Sequence, residues 1–437
     1  MLNCLLKHKS IVIVLAVLLP RIAWFIYLGG YFPEPPRDQG IYLRLAGRIA
    51  SGDGLSFSED LGWLKNLRAG ETSLETAWSS DPDYVFGMVP VETPTASLEP
   101  GYPVILALMY SIAGPTTGAA FLLNCIFALI GAWALWKMVA ENWGKKQAFF
   151  AALIWSLYPY YVYYSAYAMT DSIHISMLPL IMWLTLHSVK TMKSGFPAGI
   201  ASGFLFLIRS TAVVLLPLQM IYLLFKKKWK TSLFLLAGFA VCCVPWVVRN
   251  QIELGSPVFL PTKGSLNLWM RNNPEIIAME GIVLPGWIED GINRRDLLVY
   301  PPMDGLSGEL ERSRVLSERA NQFIFANPVL FLYLSVIRLG LFISPVGGTL
   351  SNPIFILVGF LLYLPLLVFG VTEIIRRRKD SRILFLGSFF LVYLLMHSLA
   401  HGGVRYRLPV ETVLIIASVL FMSRKCKWVE ENNACIQ

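Results

Sequence analysis

Charge is what this chain has least of. Only 15% of its 437 residues are Asp, Glu, Lys or Arg, where a soluble globular chain carries about a quarter. That shortage argues against the two or three soluble domains that the length alone would allow. Cysteine usage is equally uninformative for a metal centre or a disulfide framework. The six cysteines, Cys4, Cys125, Cys242, Cys243, Cys426 and Cys435, fall in apolar runs or at expected cytoplasmic ends, without ligand spacing. No internal repeat and no low-complexity tract occurs. The two halves lack the matching interrupted helices that would suggest inverted transporter repeats. No small-x-small cleavage site follows the first apolar run, which continues past Pro20 and Arg21 to about Leu28. An uncleaved first span is therefore expected.

Apolar residues supply 55% of the chain. A bilayer core needs roughly 20 of them per helix, which places spans near 10–30, 116–138, 148–166, 172–189, 196–209, 211–225, 231–248, 353–375, 382–400 and 409–423. The fifth and sixth are short and read as a tight hairpin around Arg209. The formal net charge of +9 does not point to nucleic acid, because the basic residues gather at the ends of apolar runs. Lys7/Lys9, Lys145/Lys146, Lys190/Lys193, Lys226–Lys228 with Lys230, Arg376–Lys379 and Arg424/Lys425/Lys427 all fall on one side if the chain starts inside. That is the positive-inside pattern.

Residues 31–115 and 249–352 then lie outside. The first of these loops has eleven acidic residues against five basic ones. A pore has no need of such a loop, and one this long is usually functional or disordered. Helical stretches at both of its ends favour a folded loop. In the second loop, residues 329–346 are ambiguous: a bilayer crossing there would put Arg376–Lys379 outside, whereas Arg338 and the flanking prolines fit a helix lying at the outer interface.

Four groups of residues could carry chemistry. Asp38 follows Pro33, Pro35 and Pro36 and opens the helix DQGIYLRLAGRIA, with Tyr42 on its own face. A helix cap would explain it. A carboxylate at the apolar edge, however, needs a partner or a task. Asp171 starts the fourth span after an aromatic run that forms an interfacial belt. It too could be a cap. His174, one turn on, could join Asp171 on a divalent cation, although such a histidine is more often a hydrogen-bonded core residue. In HGGVRYRLP, Arg405 and Arg407 flank Tyr406 on the outer side. Two guanidiniums there suit a phosphate or, more simply, anionic headgroups. In PWVVRNQIELGSPVFLPTKGSLNLWMRNNP, Arg249, Lys263 and Arg271 offer phosphate contacts, and Asn250, Asn272 and Asn273 could meet sugar hydroxyls. Turn formation explains the same Gly, Pro and Asn. Arg21, near the middle of the first span, reads by preference as structural, by snorkelling or by pairing with a neighbouring helix, with a contact to the donor phosphate as the lesser alternative.

These pieces, in order, resemble the GT-C glycosyltransferases, specifically the family of the protein O-mannosyltransferases and the lipid A aminoarabinose transferase. The order is Asp38 with Tyr42, then LEPGYPVILALMYSIAG, the Thr170–Asp171 helix start, GFLFLIRST around Arg209, PWVVRNQIELGSPV with GSLNLWMRNNP, and RYRLP. The resemblance implies an all-α polytopic membrane domain over 1–437, a bundle of about ten transmembrane helices with a partly helical loop after the first. It implies transfer of a sugar from a polyprenyl-phosphate carrier to an acceptor hydroxyl on the non-cytoplasmic face. Asp38 would be the inverting general base, and Arg405 and Arg407 would stabilise the leaving phosphate. Asp171 would assist in positioning the acceptor or a cation, and Arg209, Tyr42 and Tyr406 would bind substrate. Many relatives have a second acidic residue directly after the loop aspartate, where this chain has Gln39.

The expected partners are the lipid-linked donor, membrane lipids and a lipid, glycan or protein acceptor, without nucleic acid. No Asn-x-Ser/Thr sequon occurs, which agrees with a bacterial plasma membrane, both termini cytoplasmic. A transporter or flippase for a lipid-linked saccharide is the main rival. It would need charges along a path from face to face, whereas the carboxylates here cluster at one interface. A ligase or polymerase of surface polysaccharide differs only in its glycan.

Overall fold

A computed structural model describes residues 8–30, 37–56, 94–273, 308–345, 353–399 and 402–425. Among the described residues the chain is helical, and its β structure is a single isolated bridge between Ser56 and Pro94. Helix α1 (Lys9–Tyr27) is the first apolar run, and α2 (Arg37–Ala50) opens the first loop. Helix α3 (Gly101–Ala113) leads into α4 (Thr117–Asn142), where the Thr116 hydroxyl caps the first turn by accepting the Ala119 amide. Helices α5 (Lys145–Leu157) and α6 (Pro159–Ser165) are parted at Tyr158, because Pro159 disfavours helical backbone in the residue before it.

Helix α7 (Thr170–Ser188) follows, then α8 (Gly195–Ile208), which Arg209 interrupts in an extended conformation. A short 3-10 turn, Ser210–Val214, restarts the chain into α9 (Leu215–Phe225). Helix α10 (Trp229–Leu254) ends at Gly255, whose φ of 68° gives the left-handed cap that glycine adopts without strain. In the second loop lie α11 (Lys263–Arg271), α12 (Glu309–Ala326) and α13 (Pro328–Ile343). Helix α14 (Pro353–Val358), a π-turn (Gly359–Tyr363) and α15 (Leu364–Arg376) run on continuously. Helices α16 (Ser381–Leu399) and α17 (Val404–Lys425) complete the bundle.

Each apolar run read from the sequence is a helix, yet only six helices are long and apolar enough to cross a bilayer by themselves among the described residues. A seventh candidate is the pair α12 and α13, bent by 101° where Pro328 follows Asn327. The shortfall has physical causes. Pro159 and Arg209 divide the third span and the hairpin into short pieces, and α7 is too polar. Because α7 is buried on nearly every side, it can hold Thr170, Asp171, Ser172, His174, Ser176 and Thr185 without exposing them to lipid. The short hairpin closes through polar side chains: Ser202 donates to Gln219, which donates to Thr185 of α7 at 2.7 Å.

Helices α8 and α10 approach at backbone distance. A Cβ at Gly199 would collide with the Leu235 carbonyl, and one at Gly238 with the Phe196 carbonyl. Small residues are what permit such approach between apolar helices. Arg21 donates from one nitrogen to the Val17 and Ser156 carbonyls, each at 2.8 Å, which ties α1 to the end of α5.

The basic turns gather at one end of the bundle. There Arg382 reaches the Asn142 carbonyl, its guanidinium lies 5.4 Å from the Trp143 ring, and Tyr222 stacks on Phe385. The starts of α7 and α17 and the break at Arg209 lie at the opposite end. In the second loop, Arg338 is buried and donates to the Leu399 and Arg271 carbonyls, which ties α13 to the end of α16.

Candidate active site

At the end remote from the basic turns, Asp171 is 1% exposed and held by two guanidiniums from separate elements. Arg405, in the first turn of α17, donates from Nε to both carboxylate oxygens at 3.0 Å and pairs through Nη2 with Oδ2 at 2.8 Å. Arg209 donates from Nη1 to Oδ1 at 2.7 Å and to the Thr170 hydroxyl at 3.2 Å. Its guanidinium also lies 5.7 Å from the Tyr406 ring. A buried carboxylate is costly unless paired and hydrogen-bonded, and here the pairing is in excess. Asp171 thus has two cationic partners. The arginine side chains retain 14% and 25% exposure, against 2% for Asp171, so the guanidiniums are the more accessible part of the cluster.

The local sequence explains why the arginines converge. Glu99 accepts the Ser210 amide at 2.6 Å, bonding the chain directly after Arg209. Two residues on, Gly101 lets α3 rest against the end of α8, where a Cβ would come within 2.6 Å of the Leu207 carbonyl. The motif LEPGYP thus supplies both the acceptor and the gap. Tyr102 of α3 meets Tyr42 of α2 edge-on at 5.1 Å.

Helix α2 joins the same assembly. Gln39 is fully buried, and its Oε1 accepts the Ala168 amide at 2.7 Å. Ala168 precedes Asp171 by three positions. The backbone of Asp38 belongs to the first turn of α2, adjoining this contact, while its side chain lies outside the described residues.

Other residues anticipated from the sequence go elsewhere. Arg407 is turned away from Asp171 and pairs with Glu411 at 2.5 Å, both fully buried. His174 shares a 2.7 Å hydrogen bond with the Tyr393 hydroxyl. Both Asp171 oxygens and His174 Nε2 are thereby engaged, whereas His174 Nδ1 is buried without a hydrogen-bond partner among the described residues; no group of three or more His, Cys, Asp or Glu suited to a metal ion occurs among them. Arg249 donates to the Thr95 carbonyl at 2.9 Å and to the Asn250 side chain. Asn272 and Asn273 donate to the Leu268 and Trp269 carbonyls, one turn back, and so finish α11. Lys263 bonds through its amide to the Ser97 carbonyl at 3.2 Å.

Sequence reasoning overlooked Glu309. At the start of α12 it accepts from Thr95 and Thr262 hydroxyls at 2.8 and 2.5 Å and from the Ala96 amide, clasping the two loops together. Burial holds its carboxyl above the ordinary glutamate range. Nothing in its sequence neighbourhood announces that contact. Glu411 was legible, one turn after Arg407.

Residues 94–248 match the family described as dolichyl-phosphate-mannose-protein mannosyltransferase. The oligosaccharyltransferase of Archaeoglobus fulgidus superposes in its apo form with a TM-score of 0.54 at 12% identity, over 97% of this chain and 50% of that one. The same organism's oligosaccharyltransferase AglB, solved with an inhibitory peptide and a dolichol-phosphate, gives 0.55 at 15% identity, over 98% and 50%. ArnT from Cupriavidus metallidurans, bound to undecaprenyl phosphate, gives 0.39 at 14% identity, over 94% and 78%. The chain spans about half the length of the archaeal enzymes it superposes on. No curated protein matches it in sequence. The chain thus shares the fold of the archaeal oligosaccharyltransferases, and its residues 94–248 match the family described as dolichyl-phosphate-mannose-protein mannosyltransferase.

Proposed function

We propose that the protein moves a sugar from a polyprenyl-phosphate carrier to an acceptor hydroxyl on the non-cytoplasmic face of the plasma membrane, inverting the anomeric centre. The observation that carries this reading is the Gln39–Ala168 hydrogen bond, which joins the helix start bearing Asp38 to the approach of α7, where Arg209 and Arg405 both pair with Asp171. Asp38 takes the proton of the acceptor hydroxyl as that oxygen attacks the anomeric carbon. The bond from that carbon to the phosphate oxygen breaks, and the electron pair leaves with the phosphate. Arg405 and Arg209 meet the departing charge with donors already in position, which costs little reorganisation. Asp171 keeps both guanidiniums aimed, and Tyr42 and Tyr406 flank the sugar.

The sidedness follows from the basic turns, which the positive-inside rule assigns to the cytoplasm and which lie at the other end of the bundle. A lipid-phosphate donor agrees with the dolichol-phosphate found in the archaeal enzyme of the same fold. The test is transfer in vitro from a panel of radiolabelled polyprenyl-phosphate sugars by purified protein. Product that depends on Asp38 supports the reading. Folded protein that transfers from none of the donors would favour a transporter or flippase.

A further inference from the structure

Arg405 and Arg407 stand two positions apart in the first turn of α17, which turns their side chains about 200° from one another. Arg405 goes to Asp171, and Arg407 goes to the far side of the helix. There Arg407 is 0% exposed and bound by three elements. Its Nε donates to Glu411 at 2.5 Å, one turn along α17. Its Nη1 donates to the Phe342 carbonyl at 3.1 Å and to the Ser344 carbonyl, at the end of α13. Its guanidinium lies 3.4 Å from the centroid of Tyr363, the last residue of the π-turn. Arg407 is closed off from solvent in this way, its Nη2 buried without a hydrogen-bond partner among the described residues, which sets it apart from the part-exposed Arg405 despite the resemblance of RYR to a phosphate clamp.

We propose that Arg407 and Glu411 are a positioning pair that fixes the rotation of α17, so that Arg405 meets Asp171 and the donor phosphate. The role rests on the reading of Arg405 as a phosphate ligand. The geometry leaves α17 little choice: with Arg407 tied to α13 and the π-turn, Arg405 can only face the start of α7. Tyr406, between them, stacks on His397 at 4.9 Å and closes the third side.

Buried pairs have an asymmetry that makes this testable. Removing one partner leaves an uncompensated buried charge, whereas neutralising both is far milder. The experiment compares wild type, R407Q, E411Q and R407Q/E411Q as purified full-length protein in detergent. Thermal unfolding without ligand and steady-state transfer from a radiolabelled polyprenyl-phosphate sugar are both measured. Each single variant is expected to unfold at lower temperature and to raise the donor KM about tenfold, with kcat changed less than about threefold. The double variant is expected to recover most of both losses.

A double variant that regains its unfolding temperature but keeps the donor KM of R407Q would overturn the proposal, because Arg407 would then touch the donor itself. So would E411Q with an unchanged KM. Should R407Q fail to fold, the double variant against wild type still decides: a KM near wild type supports the pair, and a raised one contradicts it. A wild type inert toward every donor removes the proposed transfer reaction instead, which is seen before any variant is compared.

Discussion

Gln39 accepts the Ala168 amide at 2.7 Å, a contact between residues 129 positions apart that joins the first turn of α2 to the approach of α7. An ionised carboxylate could also accept that amide, but it would be buried beside Asp171. An amide side chain makes the same bond without adding a second negative charge.

Two arginines on one carboxylate imply unequal losses on substitution. R405K keeps the charge but not the two-nitrogen grip on Asp171. It is expected to raise the donor KM about tenfold, and R405A to raise it more and to lower kcat as well. Steady-state kinetics with donor varied at saturating acceptor checks this. D171N should weaken both arginine contacts at once and lower kcat/KM more than R405K does.

Glu99 and Gly101 act on Arg209 through the backbone. E99A leaves the Ser210 amide without its acceptor, and G101A drives a methyl into the Leu207 carbonyl. Overpacking of that kind costs about 1–3 kcal/mol. Both variants are expected to lower kcat/KM for the donor, E99Q much less than E99A. Kinetics alongside an unfolding curve separates a displaced Arg209 from a loss of folded protein.

The α8–α10 contact should respond to size alone. G199A puts a methyl onto the Leu235 carbonyl and is expected to destabilise the bundle by about 1–3 kcal/mol, measured as a lower unfolding temperature in detergent. A methyl added at Gly264 on α11 would meet nothing within 4 Å, so G264A is the control and should leave that temperature unchanged within error.

Glu309 gives the loops a pH dependence of defined sign. Burial raises its carboxyl pKa above the ordinary value of 4.5, against the hydrogen bonds from Thr262, Thr95 and Ala96 that favour the anion. The folded state therefore holds the proton more tightly than the unfolded state. The stabilisation is complete below the unfolded pKa and is lost as pH rises through the folded one. Unfolding temperature is expected to fall across that window in wild type and to fall less steeply in E309Q, as read by unfolding scans over a pH series.

Much of this architecture is written locally in the chain. Apolar runs, basic turns and the Asp171 helix start could be read because each depends on near neighbours in sequence. The partners of Asp171 could not, since Arg209 and Arg405 lie 38 and 234 positions away. Arg407 shows the limit most plainly. Its residue type and spacing suited a phosphate clamp, and only the packing of α13 and the π-turn against α17 commits it to Glu411. Among the described residues, six spans by length instead of ten, or seven with the bent pair, reflect the same limit, because burial lets α7 be polar and lets the broken helices be short.

The most direct test of the central claim is the initial rate of sugar transfer from a radiolabelled polyprenyl-phosphate donor by D38N beside wild type, at matched folded protein. The account predicts a loss of roughly 100-fold or more in kcat, the scale of a missing general base, with the donor KM changed little. Undiminished transfer by D38N would contradict it.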